Sequence, residues 1–145
     1  MICKIARFQK IPIIGSVFRL LLIIIGVHIP KSVTLGKNIL FPHNSVGTVI
    51  HPYTTIKDNV KIYQNVTLGR ADVYLDYSES KMKEIVVEEG AIICAGAKVL
   101  CKEGTLVIGK NSIVAANAVL LSSTKENEVW GGNPARKLGM RKKVS

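Results

Sequence analysis

A chain of 145 residues with 48% hydrophobic content is one domain with ample material for a core, and its 12 glycines suit a backbone that turns often. A net charge of +10 raises nucleic acid as a partner, but no DNA- or RNA-binding motif is present and aromatic residues make up only 6%. Cys3, Cys94 and Cys101 are an odd set without metal-ligand spacing, which reads as reduced thiols in a cytoplasmic protein that holds no metal.

Residues 1–28 stand apart. Lys4, Arg7 and Lys10 precede an apolar stretch from Ile11 to Val27 broken by Arg19. A signal peptide needs a small-residue cleavage site, and none follows. A transmembrane span needs about 20 apolar residues, and Arg19 near the middle opposes one. The segment therefore reads as a helix that Pro12 and Gly15 delay until near Ser16, its candidate cap. Such a helix packs on the end of the domain or lies peripherally on the inner face of the cell membrane, and the two are compatible. A second basic group, Arg136, Lys137, Arg141, Lys142 and Lys143, lies at the other end. Terminal clusters of this kind meet membrane surfaces or phosphates, or serve solubility alone.

From residue 29 a six-residue apolar beat begins with Ile29, Leu35 and Phe41. It continues unbroken through Ile50, Ile56, Ile62 and Leu68, then through Val87, Ile93 and Val99, and finally Ile108, Val114 and Leu120. Helices repeat near 3.6 residues and strands near 2, so neither accounts for it. Two positions earlier stand β-branched or small residues: Thr48, Thr54, Val60 and Val66, then Ala91, Ala97, Ser112 and Ala118. This is the pattern of a solenoid in which each hexad is one short strand and one corner, with the large aliphatic side chain inside. The plan is an N-terminal helical segment over 1–28, a coiled β domain over 29–130 and a tail over 131–145. Helix and tail cover the terminal coils.

The beat breaks between each pair of blocks, three times in all, the last a slip of three between Val99 and Ile108. After Phe41 the phase slips by three, so Pro42 to Gly47 should bulge from the coil and carry His43 with it. Between Leu68 and Val87 the segment 70–84 leaves the beat, bearing Asp72, Tyr74, Asp76, Tyr77, Ser78 and Glu79. Long loops in compact folds are often functional, though a solvated loop fits as well.

His43-Asn44-Ser45, Gly47-Thr48-Val49-Ile50 and Tyr63-Gln64-Asn65-Val66-Thr67-Leu68-Gly69 resemble the serine acetyltransferase branch of the hexapeptide-repeat acyltransferases. Gly90 to Lys98 and Gly132-Asn133-Pro134-Ala135-Arg136 extend the resemblance, which covers roughly residues 27 to 139. It implies a left-handed parallel β-helix, a homotrimer with sites between subunits, and acetyl-CoA as donor.

Transfer of acetyl from a thioester to a hydroxyl needs a base, and histidine suits that near neutral pH. The chain holds His28, His43 and His51. The resemblance makes His43 the general base. His28 takes the place of an aspartate that orients that base, and is either an orienting partner or a structural residue. His51, one past an inward position, reads as a surface histidine. Pro42 replaces a second aspartate, and Lys83 and Glu84 replace an arginine–histidine pair that grips serine. The resemblance lays coenzyme A against small corners at Gly69, Ala95, Gly96, Ala115 and Ala116, with Lys110 and Arg136 toward its phosphates. Backbone N–H groups near Gly69 would hold the thioester oxygen. Asp72, Tyr74 and Tyr77 would wall the acceptor site, and Trp130 would pack the C-terminal segment onto the coils. The reading is an O-acetyltransferase acting on a sugar hydroxyl in surface-polysaccharide synthesis, the saccharide being free or lipid-linked. Serine O-acetylation is the alternative, and a non-catalytic scaffold the second alternative.

Overall fold

The structure is a computed structural model that describes residues 1–12 and 15–142. It is a left-handed parallel β-helix preceded by two helices, α1 (Ile2–Phe8) and α2 (Gly15–Ile24). Three sheets form the faces of a triangular prism. Face 1 stacks strands Val49–Ile50, Thr67–Arg70, Lys98–Cys101 and Val119–Leu120. Face 2 stacks Thr34–Leu35, Thr54–Ile56, Met82–Val87 and Gly104–Ile108. Face 3 stacks Lys61–Ile62, Ile92–Ile93 and Ile113–Val114, and closes with the antiparallel hairpin Glu128–Gly132 and Ala135–Met140.

The beat is the core. Ile50, Ile56, Ile62, Val87, Ile93, Val99, Ile108, Val114 and Leu120 are fully buried, as are the residues two before them at Thr48, Val60, Ala91, Ala97, Ser112 and Ala118. Each coil thus sends one large and one smaller side chain inward per face. Stacked coils keep identical faces in register: Ile50 pairs with Leu68 and Leu68 with Val99, so the apolar column is continuous.

Two of the three prism edges turn through a left-handed residue. Asn59, Gly90, Asn111 and Asn127 serve the edge between faces 2 and 3, and Gly47, Asn65, Gly96 and Asn117 the edge between faces 3 and 1; all have positive φ. Glycine and asparagine tolerate that region best. All but Asn127, which precedes Glu128, stand one position before a residue of the small set, a signal present in the chain that the apolar beat alone does not draw out. The third edge, between faces 1 and 2, turns without such a residue at 51–53 and in the 70–81 loop it carries, and among the described residues has only Gly104, where Cys101 leads into face 2.

The helices correct the expectation of a single helix. α1 forms as well, because Ile2 and Ala6 bury against Leu22, Val27, Ile29 and Val33. A helix of seven residues is too short to persist alone, so this packing decides its existence. Gln9 is buried and its Nε2 donates to the Ile29 carbonyl at 3.0 Å, tying the helices to the first coil. His28 already belongs to that coil: its N–H donates to the Thr48 carbonyl at 2.8 Å. At the other end, the boundary drawn after residue 130 cuts through a strand. Residues 131–140 complete the hairpin on face 3, and of the expected tail only Arg141 and Lys142 lie beyond it among the described residues. Lys143 lies outside them. Trp130 Nε1 donates to Glu128 Oε2 at 2.9 Å and Lys137 meets Glu128 Oε1 at 2.8 Å, so the hairpin is held from both strands. These donors and the Lys125 N–H hold the Glu128 carboxyl down to about 2. No described helix is long and apolar enough to cross a membrane.

Candidate active site

The edge between faces 3 and 1 gathers most of the expected chemistry. His43 stands there in a short bulge, Pro42–Ser45, where His43, Asn44 and Ser45 are all left-handed, with φ of 52°, 54° and 43°. Three such residues in succession are costly for non-glycine side chains, and backbone strain of this kind concentrates at functional sites. Ser45 anchors the bulge from below: it is fully buried and its hydroxyl donates to the Ile62 carbonyl at 2.6 Å. His43 itself is exposed, with the Tyr63 ring of the next coil 6.4 Å away between centroids. A base that must meet a hydroxyl from solution needs this accessibility.

Further along the same edge stand Cys94-Ala95-Gly96 and Ala115-Ala116-Asn117, each joining a face 3 strand to a face 1 strand. The Gly96 N–H donates to the Gln64 carbonyl at 3.0 Å and the Asn117 N–H to the Ala95 carbonyl at 2.9 Å, stacking the corners. Their small side chains leave the backbone open to a long, narrow ligand. Arg136 is exposed on the hairpin opposite Gly131, at the end of this edge. The fit to an extended donor is therefore local and sound: small corners along one edge, a cation at its end. Two expected donor contacts lie elsewhere. Gly69 sits within the face 1 ladder opposite Leu100. Lys110 stands at the edge between faces 2 and 3, paired with Glu89 at 3.0 Å. Cys94 shares the His43 edge, but burial pushes its thiol pKa up, which keeps it a poor nucleophile.

The edge between faces 1 and 2 holds a second cluster, which the sequence reading divided wrongly. His51 is not a surface histidine; it is 7% exposed. Its Nδ1 accepts the Tyr53 N–H at 3.2 Å, and its Nε2 lies 3.2 Å from the Tyr77 hydroxyl. The two rings stack, and Arg70 covers the Tyr77 ring at 4.4 Å. Burial first, and the Arg70 charge second, lower the His51 pKa. Asp72, expected to meet the acceptor, is 1% exposed and anchors the loop instead. It pairs with Arg70 at 3.2 Å and accepts the Ser80 hydroxyl at 2.7 Å; that hydroxyl and Arg70 lower its pKa. Arg70 Nη2 also donates to the Leu75 carbonyl at 2.7 Å. Tyr74 and Tyr77 remain largely exposed. Arg70 and His51 were missed as loop anchors because nothing in their local sequence reports that the chain returns over them.

Lys83 is exposed on face 2, and the neighbouring Glu84 accepts the Thr55 hydroxyl at 2.5 Å. Loop, Lys83 and Glu84 thus lie away from His43, on another edge and face of the same chain. Nor does His28 meet His43: among the described residues no hydrogen bond joins them, and His28 lines a cavity under the helices. The direct orienting contact is not made. Among the described residues, no three His, Cys, Asp or Glu side chains gather as metal ligands.

No protein-family model matches the chain. It is 36% identical over 110 residues to the serine acetyltransferase of Haemophilus influenzae, an alignment covering 76% of this chain and 38% of that protein. A serine acetyltransferase solved in complex with cysteine superposes with a TM-score of 0.80 at 27% identity, covering 97% of this chain and 54% of the other. The Brucella abortus serine acetyltransferase in complex with coenzyme A gives a TM-score of 0.71 at 27% identity, covering 90% and 48%. The chain spans between about two-fifths and one-half of the length of the curated relatives it matches. These likenesses support the hexapeptide-repeat acyltransferase family.

Proposed function

We propose that this chain is an acetyl-CoA-dependent O-acetyltransferase of the hexapeptide-repeat acyltransferase family, with His43 as its general base. The carrying observation is that the strained, exposed His43 bulge shares one prism edge with the small corners Ala95-Gly96 and Ala115-Ala116. Coenzyme A lies along that edge with its phosphates toward Arg136. His43 takes the proton of the acceptor hydroxyl as the oxygen attacks the acetyl carbonyl. The C–S bond then breaks, and the imidazolium returns the proton to the coenzyme A thiolate.

The loop cluster stands on a different edge from His43, so one chain does not close a site around an acceptor. A homotrimer resolves this: the 1–2 edge of one subunit, with Tyr74, Tyr77 and Lys83 near it, meets the 3–1 edge of the next. The exposed, basic N-terminal helices are the part of the assembly suited to peripheral contact with a membrane.

Serine is the first acceptor to test, because the relatives are named serine acetyltransferases. A saccharide hydroxyl is the second reading. It is favoured by Pro42 beside the base, by His28 without contact to it, and by Glu84 engaged with Thr55, a set that lacks the charge pattern for gripping an amino acid. The test is thiol release from acetyl-CoA with L-serine against nucleotide sugars and lipid-linked saccharides at matched concentrations. Serine turnover with kcat/KM of about 10⁴ M⁻¹s⁻¹ or above, the ordinary enzyme range, establishes serine and removes the saccharide reading. Release with neither class, by a trimer that binds coenzyme A, refutes the transferase reading.

A further inference from the structure

A further cavity lies at the N-terminal end of the prism, where the edge between faces 1 and 2 begins at Pro30–Ser32 and Pro52. It lies between α2 and the first coil and has a volume of about 700 Å³, within the range of small-molecule sites. Lys10, Arg19 and Lys31 line it, and no carboxylate does. None of the three makes an ion pair among the described residues. The reason lies in the sequence. Residues 1–57 contain seven lysines and arginines and no aspartate or glutamate, Asp58 being the first carboxylate of the chain. Nothing at this end neutralises the cavity. Gly15 and Ser16, the first turn of α2, also face it, and a helix N-terminus favours negative charge.

The second observation is apolar. α2 leaves Val17, Leu20, Leu21, Ile23 and Ile24 exposed, more than its burial of Leu22 requires. Ile23 belongs to both features: it lines the cavity and it stands on the exposed face. Anionic and apolar recognition therefore run into one another without a break. A soluble phosphate compound would use the first and leave the second in water; a second copy of the chain would bring the same unpaired cations against these.

We propose that this cavity binds the phosphate headgroup of an anionic lipid, whose hydrocarbon chains lie along the exposed face of α2. Lys10, Arg19 and Lys31 supply the charge and donors for the phosphate, and the α2 side chains enter the hydrocarbon boundary of the bilayer. The site is independent of acetyl transfer. It rests on the reading of the N-terminal helices as a membrane-facing end, and it narrows that reading to one cavity.

The experiment is sedimentation of the full chain with vesicles of phosphatidylcholine alone and of phosphatidylcholine with phosphatidic acid, beside calorimetry with inorganic phosphate. Three variants are compared: K10Q/R19Q/K31Q, which empties the cavity of charge; K4Q/K37Q/K57Q, which removes the same charge from the same end outside the cavity; and L20S/I24S on the apolar face. Circular dichroism and coenzyme A binding confirm that each is folded. Wild type should partition to phosphatidate vesicles and not to neutral ones. The cavity variant should lose about a hundredfold in partitioning, at roughly fivefold for each cation. L20S/I24S should lose binding too, and the outside triple should keep most of it. Equal losses from the two cation triples would overturn the cavity while leaving a diffuse membrane contact. Wild type that ignores phosphatidate vesicles would overturn both, as would inorganic phosphate bound through the same three cations without vesicle binding. An oligomer that L20S/I24S dissociates, with no lipid dependence, would assign the face to a second copy instead.

Discussion

Replacing Gly96 by alanine tests the edge on which the donor site depends. Gly96 has φ of +73°, and a Cβ built there would lie 2.1 Å from Asn117 Oδ1 and 3.2 Å from its Cγ. Gly104 is the comparison, with φ of +61° and nothing within 4 Å of its added Cβ. Both substitutions carry the left-handed penalty, roughly 1–2 kcal/mol. Only Gly96→Ala also displaces the amide of the stacked corner, and forcing a group into a filled site typically costs about 1–3 kcal/mol more. The expected losses are therefore about 1–2 kcal/mol for Gly104→Ala and about 2–5 kcal/mol for Gly96→Ala. Asn117 is itself left-handed, with φ of 56°, so glycine fits there and G96A/N117G should fall back to the Gly104→Ala level. The assay is urea unfolding followed by circular dichroism at one fixed protein concentration, since subunit association shifts apparent stability. Equal losses for the two single variants would refute the stacked-corner argument, as would a double variant that recovers nothing.

His43→Ala should lower turnover by roughly 10²–10⁴-fold with coenzyme A affinity unchanged, measured by thiol release and calorimetry; retained turnover would place the base elsewhere. The lowered pKa of His51 means that the folded chain favours its neutral form. Below about 6.5 the unfolded chain binds more protons, so this contribution is complete above that pH and is lost as pH falls through the native value. Proteolysis of the 70–81 loop should accelerate between pH 7.5 and 5.5 in wild type, and His51→Gln should flatten that dependence. Glu128→Gln should lower the thermal midpoint at pH 7, and the difference from wild type should close as pH falls from about 4.5 toward 2, because protonation then removes the same carboxylate.

The coil and its buried column were legible in the sequence, because six-residue spacing cannot be met by a helix or a flat strand and each period is local. The His43 bulge was legible for the same reason: a phase slip is a count along the chain. The turn asparagines were readable too, Asn59, Asn65, Asn111 and Asn117 each standing one residue before a small position, although the apolar beat alone passes over them. Gly69 and Lys110 show the limit. Resemblance places them beside coenzyme A, but which edge a residue occupies depends on the running sum of every corner before it, insertions included.

What the sequence determined by itself is the repeat, and with it the inward side of each strand, since burial alternates within reach of a few neighbours. What only tertiary structure decided is which distant segments meet. Asp72 became an anchor and His51 a buried residue because the loop folds back over Arg70, a contact no local pattern encodes. α1 formed because the first coil offered Val27 and Ile29 to cover. That the first 57 residues hold seven cations and no carboxylate is written in the sequence, but the cavity that collects three of those cations exists only where α2 crosses the end of the prism. Periodicity is a short-range property that the order of residues carries; a site is a long-range coincidence of side chains that only packing brings about.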